Sequence, residues 1–382
     1  MEKRLVETIA NWDTTEFCVP LPVPTPQEPL NQRPIPPRSP RPIVSIGAGG
    51  IVRSAHQPAY RIAGFTVASV FDVDPAAAEG LARDFGIPRV CRSLGEAVAT
   101  APPDAVFDLA LPAQEVLGVL QAIPDGSAVL LQKPMGRDLV EARAIRDLCR
   151  QKRLVAAVNF QLRNAPCVLA ARDLVARGWI GEVHAVAIRV TCHTPWGLWK
   201  FLQGIPRMEI LYHSVHYIDL VRALLGDPAG VWARTVRHPK LPEFASTRTT
   251  IAFDYGPARH AAIATNHGHE FGPRHQESSL EIEGTRGAVH IRMGVNLDYP
   301  RGVPDQLEYC LPSDGPEPRW EALPLAGGWF PHAFVGPMSE LMRRANGETA
   351  GLPTGVEDAY RTMAVVEACY QSSASGATPI PP

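Results

Sequence analysis

The run Pro42-Ile43-Val44-Ser45-Ile46 leads directly into Gly47-Ala48-Gly49-Gly50, and this join constrains the fold more than any other feature of the chain. A short apolar run rich in β-branched residues reads as a strand of a parallel sheet buried on both faces. Glycines at its end permit positive φ and let the backbone approach a ligand closely. Ile51-Val52-Arg53-Ser54-Ala55-His56 then opens a helix, whose free N–H groups suit an anion. Strand, glycine turn and helix in this order make the pyrophosphate-binding turn of a dinucleotide fold. At the third fingerprint position stands Val52, where glycine or alanine is usual.

The following residues fit that fold. Gly64–Phe71 reads as a second strand and ends at Asp72. A carboxylate there binds the adenosine ribose hydroxyls and disfavours a 2′-phosphate, so it selects NAD over NADP. Asp72 could instead cap the turn before Pro75, a role that Asp74 can also fill. Ala105–Leu111 and Ala128–Leu131 read as further strands, with helical stretches near 75–85 and 113–122. Strand and helix in alternation predict a doubly wound parallel sheet.

Ahead of this fold, ten of the 38 prolines fall from Pro20 to Pro42. Proline fixes φ and lacks the N–H, so this stretch is an extended arm and neither a helix nor a central strand. The arm is either a loose leader or a strap over the body or a neighbouring subunit. A length of 382 residues predicts two domains or three. A formal net charge of −2 argues against a nucleic-acid partner. No apolar run reaches the length of a membrane helix. The first residues carry no apolar stretch of the kind a secretory signal needs. The seven cysteines are scattered with no Cys-x-x-Cys spacing, as expected for reduced thiols of a cytoplasmic protein.

The second half reads differently. Val183–Thr191, Arg248–Tyr255, Arg259–Asn266, Ser279–Glu283 and Ala288–Met293 are strand-like, with turns at 255–257 and 284–287. Several are too close together for parallel crossovers, which need about a dozen residues. Over 209–225 a helix is predicted, with Leu211, Val215, Ile218, Val221 and Leu225 on one face. Glu209, Tyr212, His213 and His216 fall on the other face, which is either solvated or chemically active. Glu209, His213 and His216, with His267 and His269, also allow a metal reading, but no metal is expected.

Together with Gln132-Lys133-Pro134 at the end of a late strand, these stretches resemble the glucose–fructose oxidoreductase / inositol dehydrogenase / MocA (Gfo/Idh/MocA) family. GAGGIVRSAHQPAY (47–60), VNFQLRNAP (158–166), LYHSVHYIDLVRALLG (211–226), EIEGTRGAVHI (281–291) and EDAYRTMAVVEACYQSSASG (357–376) carry the resemblance in order. It covers about residues 42–378 and leaves out the arm. It implies an α/β fold: an N-terminal Rossmann domain with a doubly wound parallel sheet, and a C-terminal α+β domain with an open, mostly antiparallel sheet. The expected division is an arm at 1–41, an NAD(P)-binding domain at 42–160 and a substrate and oligomerisation domain at 161–382. The last helix is expected to pack back toward the first domain.

On its own residues Lys133 reads as a surface lysine at a strand end. The resemblance makes it the active-site lysine beside the nicotinamide, and makes His216 the active-site histidine that polarises the reacting carbinol. Where the family often has Asp, four residues before that histidine, this chain has Tyr212; the expected catalytic set is Lys133, His216 and Tyr212. The commoner Glu of the tripeptide is replaced by Gln132, which keeps hydrogen bonding and loses charge. The expected cofactor-binding set is Gly47, Gly49, Gly50, Ile51, Asp72, Pro112, Gln132 and Lys133, for NAD in preference to NADP.

Substrate contacts are expected from Asn159, Arg163, His193, Trp196, Trp199 and His213, with Lys200 nearby. The two tryptophans could stack on a sugar ring or pack between domains. Arg163 could face the cleft or donate hydrogen bonds under the interdomain segment. The implied activity is an NAD(P)-dependent oxidoreductase that moves hydride to or from a secondary alcohol or ketone of a sugar, cyclitol or related polyol. Two alternatives differ in kind: a glycoside-modifying enzyme that retains its NAD and oxidises transiently, and a non-catalytic nucleotide-sensing regulator. A homodimer or homotetramer is expected, because an open sheet face left bare by helices needs a partner.

Overall fold

Local burial patterns account for the order of elements in the computed structural model, which describes residues 28–312 and 317–381. Strand β1 (Ile43–Ile46) is wholly buried, as a continuous apolar run demands. The helix behind the glycine turn starts as a π turn over Val52–His56 and continues as α1 (Gln57–Ala63). Next come β2 (Val67–Phe71), α2 (Pro75–Phe85) and α3 (Leu94–Ala99). Asp74 caps α2 by accepting from Ala76 N, so Asp72 is not needed for that task. Then follow β3 (Val106–Leu109), α4 (Val116–Ala122), β4 (Ala128–Leu131), α5 (Leu139–Gln151) and β5 (Val155–Val158). The five strands are parallel in the order β2-β1-β3-β4-β5. Their carboxyl ends converge on one edge, where doubly wound sheets bind ligands.

Helix α6 (Pro166–Ala176) leads to the second sheet, built from β6 (Val183–Thr191) onward. A second π turn, Ile210–Ser214, runs into α7 (Val215–Leu225). The remaining strands are β7 (Gly230–Val236), β8 (Arg248–Asp254), β9 (His260–Asn266), β10 (Glu277–Gly284), β11 (Ala288–Arg292), β12 (Gln306–Cys310) and β13 (Trp320–Ala322). They form an eight-stranded sheet in the order β13-β12-β11-β10-β6-β9-β8-β7. All its pairs are antiparallel except β6–β9. Period-two alternation puts Val186, Ile188, Val190, Ile251, Ile263, Leu280 and Ile291 on the buried face.

Two helices close the structure, α8 (Val335–Ala345) and α9 (Val356–Ser375). Helix α9 touches both sheets. Gly355 bridges Ala157 at β5, and Ser372 Oγ accepts from Ala233 N of β7. The described part of the arm, 28–41, is a strap across the chain's own body. Leu30 is buried, Asn31 N donates to Asp173 at 2.8 Å, and Arg41 donates to Asn346 Oδ1 and Ala345 O at 2.7 Å. The prolines from Pro20 to Pro26 lie outside the described residues.

Candidate active site

The expected cofactor-binding residues gather along the carboxyl edge of the parallel sheet. The turn after β1 needs its first glycine twice over: φ at Gly47 is +111°, and a Cβ there would lie 2.4 Å from Ala110 O. At Gly49 and Gly50 a Cβ would meet no atom within 4 Å, so open space lies over the turn. Ile51 starts the helix, and Pro112 follows β3. Val52 is wholly buried among Ala48, Val70, Ala78 and Leu81, filling the helix–sheet contact that glycine or alanine would leave closer. Asp72 stands at the end of β2, where Oδ2 accepts from Ala48 N at 2.6 Å and Oδ1 from Asp74 N at 2.8 Å. Each oxygen keeps a lone pair for a further donor. Open space over the glycines and a carboxylate at this strand end fit a bound dinucleotide. Gly47, Gly49, Gly50 and Ile51 would hold its pyrophosphate and Asp72 its adenosine ribose.

At the end of β4 the side chain of Lys133 crosses to the second domain and donates to the backbone carbonyl of Tyr212 at 2.7 Å. Burial lowers this ammonium to about 8, the range that suits proton exchange with a hydroxyl. Gln132 Oε1 accepts from Lys133 N at 2.8 Å, which turns the Gln132 amide toward His56. Gln132 Nε2 and Asn159 Nδ2 lie 3.2 and 3.3 Å from His56 Nε2, and His56 Nδ1 lies 2.8 Å from Asp108 Oδ2. His56 therefore accepts at Nε2 and donates at Nδ1. Tyr60 donates to the same Asp108 oxygen at 2.8 Å, and burial followed by the Asp108 charge raises the phenol. Gln132 and Asn159 thus both turn an amide donor toward His56 Nε2.

On the other wall, His216 is 8% exposed and its Nδ1 has no partner. Burial, then the Lys133 charge, holds its imidazole well below the usual range. Its ring meets Trp329 edge-on at 5.9 Å. His213 is held low by burial first, then by His267, Lys133 and His216, and its Nδ1 is also unpartnered. The indole Nε1 atoms of Trp196 and Trp329 are buried without partners as well. Four nitrogens without partners are thus buried in this region, on His216, His213, Trp196 and Trp329.

Several expected contacts fall elsewhere. Tyr212 meets Lys133 through its carbonyl; its phenol packs on Phe201 at 5.8 Å, raised by burial and then by Glu141. Asn159 belongs to the His56 network. Arg163 is buried in a clamp: it donates to both oxygens of Asp219 and to Asp358 Oδ2, each at 2.6 Å. Its guanidinium thus ties the segment after β5 to α7 and α9. His193 is exposed, because alternation along the chain turns Cys192 and Thr194 inward and His193 outward. Lys200 is likewise exposed. Trp196 packs on Phe244 at 4.8 Å and edge-on to His213 at 5.5 Å, while half-buried Trp199 packs on Tyr299 at 5.0 Å.

Glu209 does not share one face with Tyr212 and His216. It is wholly buried and accepts from Ser214 Oγ at 2.9 Å, from Thr265 Oγ1 at 2.9 Å and from Thr249 Oγ1. A π turn advances each residue by less than the usual angle, so Glu209 leaves the phase of Tyr212 and His216. Among the described residues, no cluster of three or more His, Cys, Asp or Glu is placed to hold a metal ion. Residues that sequence reasoning did not assign to the site are His56, Asp108, Trp329 and Cys192, while His267 entered only as a possible metal ligand. Only Asp108 leaves a signal, as a carboxylate inside the apolar run Val106-Phe107-Asp108-Leu109.

Comparison with known proteins bears on this geometry. A family described as "Oxidoreductase family, NAD-binding Rossmann fold" matches residues 42–160, and one described as "GFO/IDH/MocA C-terminal domain" matches 168–290. D-apiose dehydrogenase of Rhizobium rhizogenes is 24% identical over 340 residues, covering 83% of this chain and 90% of its own. 1,5-Anhydro-D-fructose reductase of Ensifer adhaerens is 31% identical over 189 residues, 48% of this chain and 56% of its own. Among solved structures, levoglucosan dehydrogenase in complex with NADH and levoglucosan superposes with a TM-score of 0.71 at 20% identity, covering 88% and 98% of the two chains.

Proposed function

The chain belongs to the GFO/IDH/MocA family of oxidoreductases, and we propose that it is an NAD-dependent dehydrogenase or reductase of a neutral sugar, cyclitol or related polyol. Its reaction moves hydride between the nicotinamide and a secondary alcohol or ketone. The observation that supports this reading best is Lys133: a half-buried ammonium, lowered to about 8 by desolvation, at the carboxyl edge of the parallel sheet and near enough to His216 for its charge to hold that imidazole low.

Bound NAD supplies the hydride acceptor; this chain's residues supply position and protons. Lys133 as the free amine takes the proton of the substrate hydroxyl in oxidation, and as the ammonium returns it in reduction. The carbonyl of Tyr212 fixes the Lys133 side chain, and Gln132 fixes its backbone. His216 and His213, kept uncharged by burial, hydrogen-bond the carbinol and its neighbours. Apiose, levoglucosan and the inositols named in relatives are uncharged, in keeping with that wall. A screen at the NADH absorbance band, with NAD and NADP against neutral sugars, cyclitols and sugar acids, tests the proposal. Turnover confined to charged sugar acids, or none with any polyol, would overturn it.

The second sheet supports a homo-oligomer within this reading. Its outer face carries the row Glu281, Ala187, Ala262, Ala252 and Trp232 in register across five strands. Trp232 is 64% exposed. Three alanines between a carboxylate and an exposed indole make a flat surface suited to a second copy.

A further inference from the structure

Beneath the His213 wall lies a second buried group of ionisable residues that the proposed chemistry does not use. His267 follows β9, its Nε2 lies 3.3 Å from Glu209 Oε1, and both residues are at most 3% exposed. On the opposite side of the ring, Nδ1 lies 3.1 Å from Thr194 Oγ1 and 3.6 Å from Cys192 Sγ. The Glu209 carboxylate, with three hydroxyl donors of its own, is built to remain an anion away from water. The His267 ring in turn packs on His213, with ring centroids 4.5 Å apart and planes at 40°. Trp196 closes the edges of both rings.

We infer that Glu209 and His267 form a positioning pair: Glu209 holds His267 as an imidazolium, and that charge keeps the neighbouring His213 uncharged and aimed at the substrate. Two imidazolium rings cannot stack at this distance in a buried site without strong repulsion, so the proton on one excludes the proton on the other. Glu209 decides which ring takes it. Burial alone would lower His267, but Cys192 and Glu209 bring it up to about 10. The charged and titratable groups around His213 are His267 after β9, Lys133 after β4, and His216 on its own helix. Around His267 they are Glu209, Cys192 and the stacked His213. The inference rests on the reading that His213 faces substrate.

The test is the protonation of His213 in the free enzyme, followed by NMR of the full chain labelled in its histidine rings. His213→Gln assigns the resonance. In the wild type the His213 signal is expected to stay in its neutral form down to mildly acidic pH. In Glu209→Gln, His267 loses its counter-charge, and His213 should protonate at least about one pH unit higher. The acid limb of kcat/KM should move up by the same amount. His267→Gln should act in the same direction, and Cys192→Ser, which removes the other group that raises His267, should move the limb by less than Glu209→Gln does.

An unchanged His213 titration in folded Glu209→Gln and His267→Gln proteins would overturn the inference. A shift in Cys192→Ser but not in Glu209→Gln would overturn it too, by making the thiol the counter-charge. Full turnover in His213→Gln alongside the expected titration shift would leave the pair intact and remove the substrate role of His213 instead.

Discussion

Lys133 Nζ donates to the carbonyl oxygen of Tyr212 at 2.7 Å, joining the end of a strand in the nucleotide domain to the π turn of the second domain. The proposed proton carrier is thus held by backbone, and the Tyr212 phenol takes no part in that contact.

Tyr212→Phe should therefore cost less than about tenfold in kcat/KM, below the range of a lost general acid or base. The carbonyl contact survives the change, and so does the packing on Phe201. A loss of about 100-fold or more in steady-state kinetics would return the phenol to the reacting centre.

Lys133→Ala should lower kcat by about 100- to 10,000-fold while leaving NAD affinity, read by nucleotide fluorescence, little changed. In the wild type the ammonium is lowered to about 8 by burial. The free amine is the base in oxidation, so the oxidation rate should rise as pH passes through about 8. The ammonium is the acid in reduction, so the reduction rate should fall over the same interval. Parallel pH profiles in the two directions would count against a lysine proton carrier.

Asp72→Ala removes the carboxylate from the end of β2. NAD should bind about tenfold more weakly, through loss of charge-assisted hydrogen bonds to the ribose. NADP binding should hold or improve, because the repulsion of its phosphate is gone. Tighter binding of NADP than NAD by the wild type in calorimetry would contradict the ribose role of Asp72.

Removing the Arg163 guanidinium leaves the Asp219 and Asp358 carboxylates without their shared partner. Burial of Asp219 already pushes its carboxyl upward against that partner. Arg163→Met should cost about 3–5 kcal/mol in urea unfolding. Arg163→Lys keeps the charge but loses the bidentate fork, and should fall between the two.

Ala262→Arg places a charge at the centre of the outer alanine row. The wild type is expected to be a dimer or tetramer by light scattering at micromolar concentration, and the variant a smaller species with unchanged helix and strand content. A monomeric wild type would rule out this face as the interface.

Much of the fold was legible because burial patterns are local. The β-branched run before Gly47, the alternation in β6, β8 and β9, and proline and glycine at helix ends each follow from the nearest residues. Strands β5, β7, β12 and β13 escaped sequence reading. Short β5 carries no period, and edge strand β13 is exposed along its length, so neither offers a pattern. In the site, Lys133 and His216 stand out from their motifs as candidates. The buried contacts of Glu209, Asn159 and Arg163 were not legible, since each is a polar side chain whose partners come from elsewhere in the chain.

The sequence by itself determined a nucleotide-binding parallel sheet, a second mostly antiparallel sheet, and a lysine at the end of the fourth strand. Only the tertiary structure decided that His56 meets Asp108, Gln132 and Asn159, and that Glu209 and Cys192 meet on His267. Cys192 and His267 are 75 residues apart and touch because β6 and β9 lie side by side in parallel register. The preference of a residue for strand or helix is set by its neighbours in the chain. The partner of a buried polar group is set by sheet order and register, which arise only when the whole core packs.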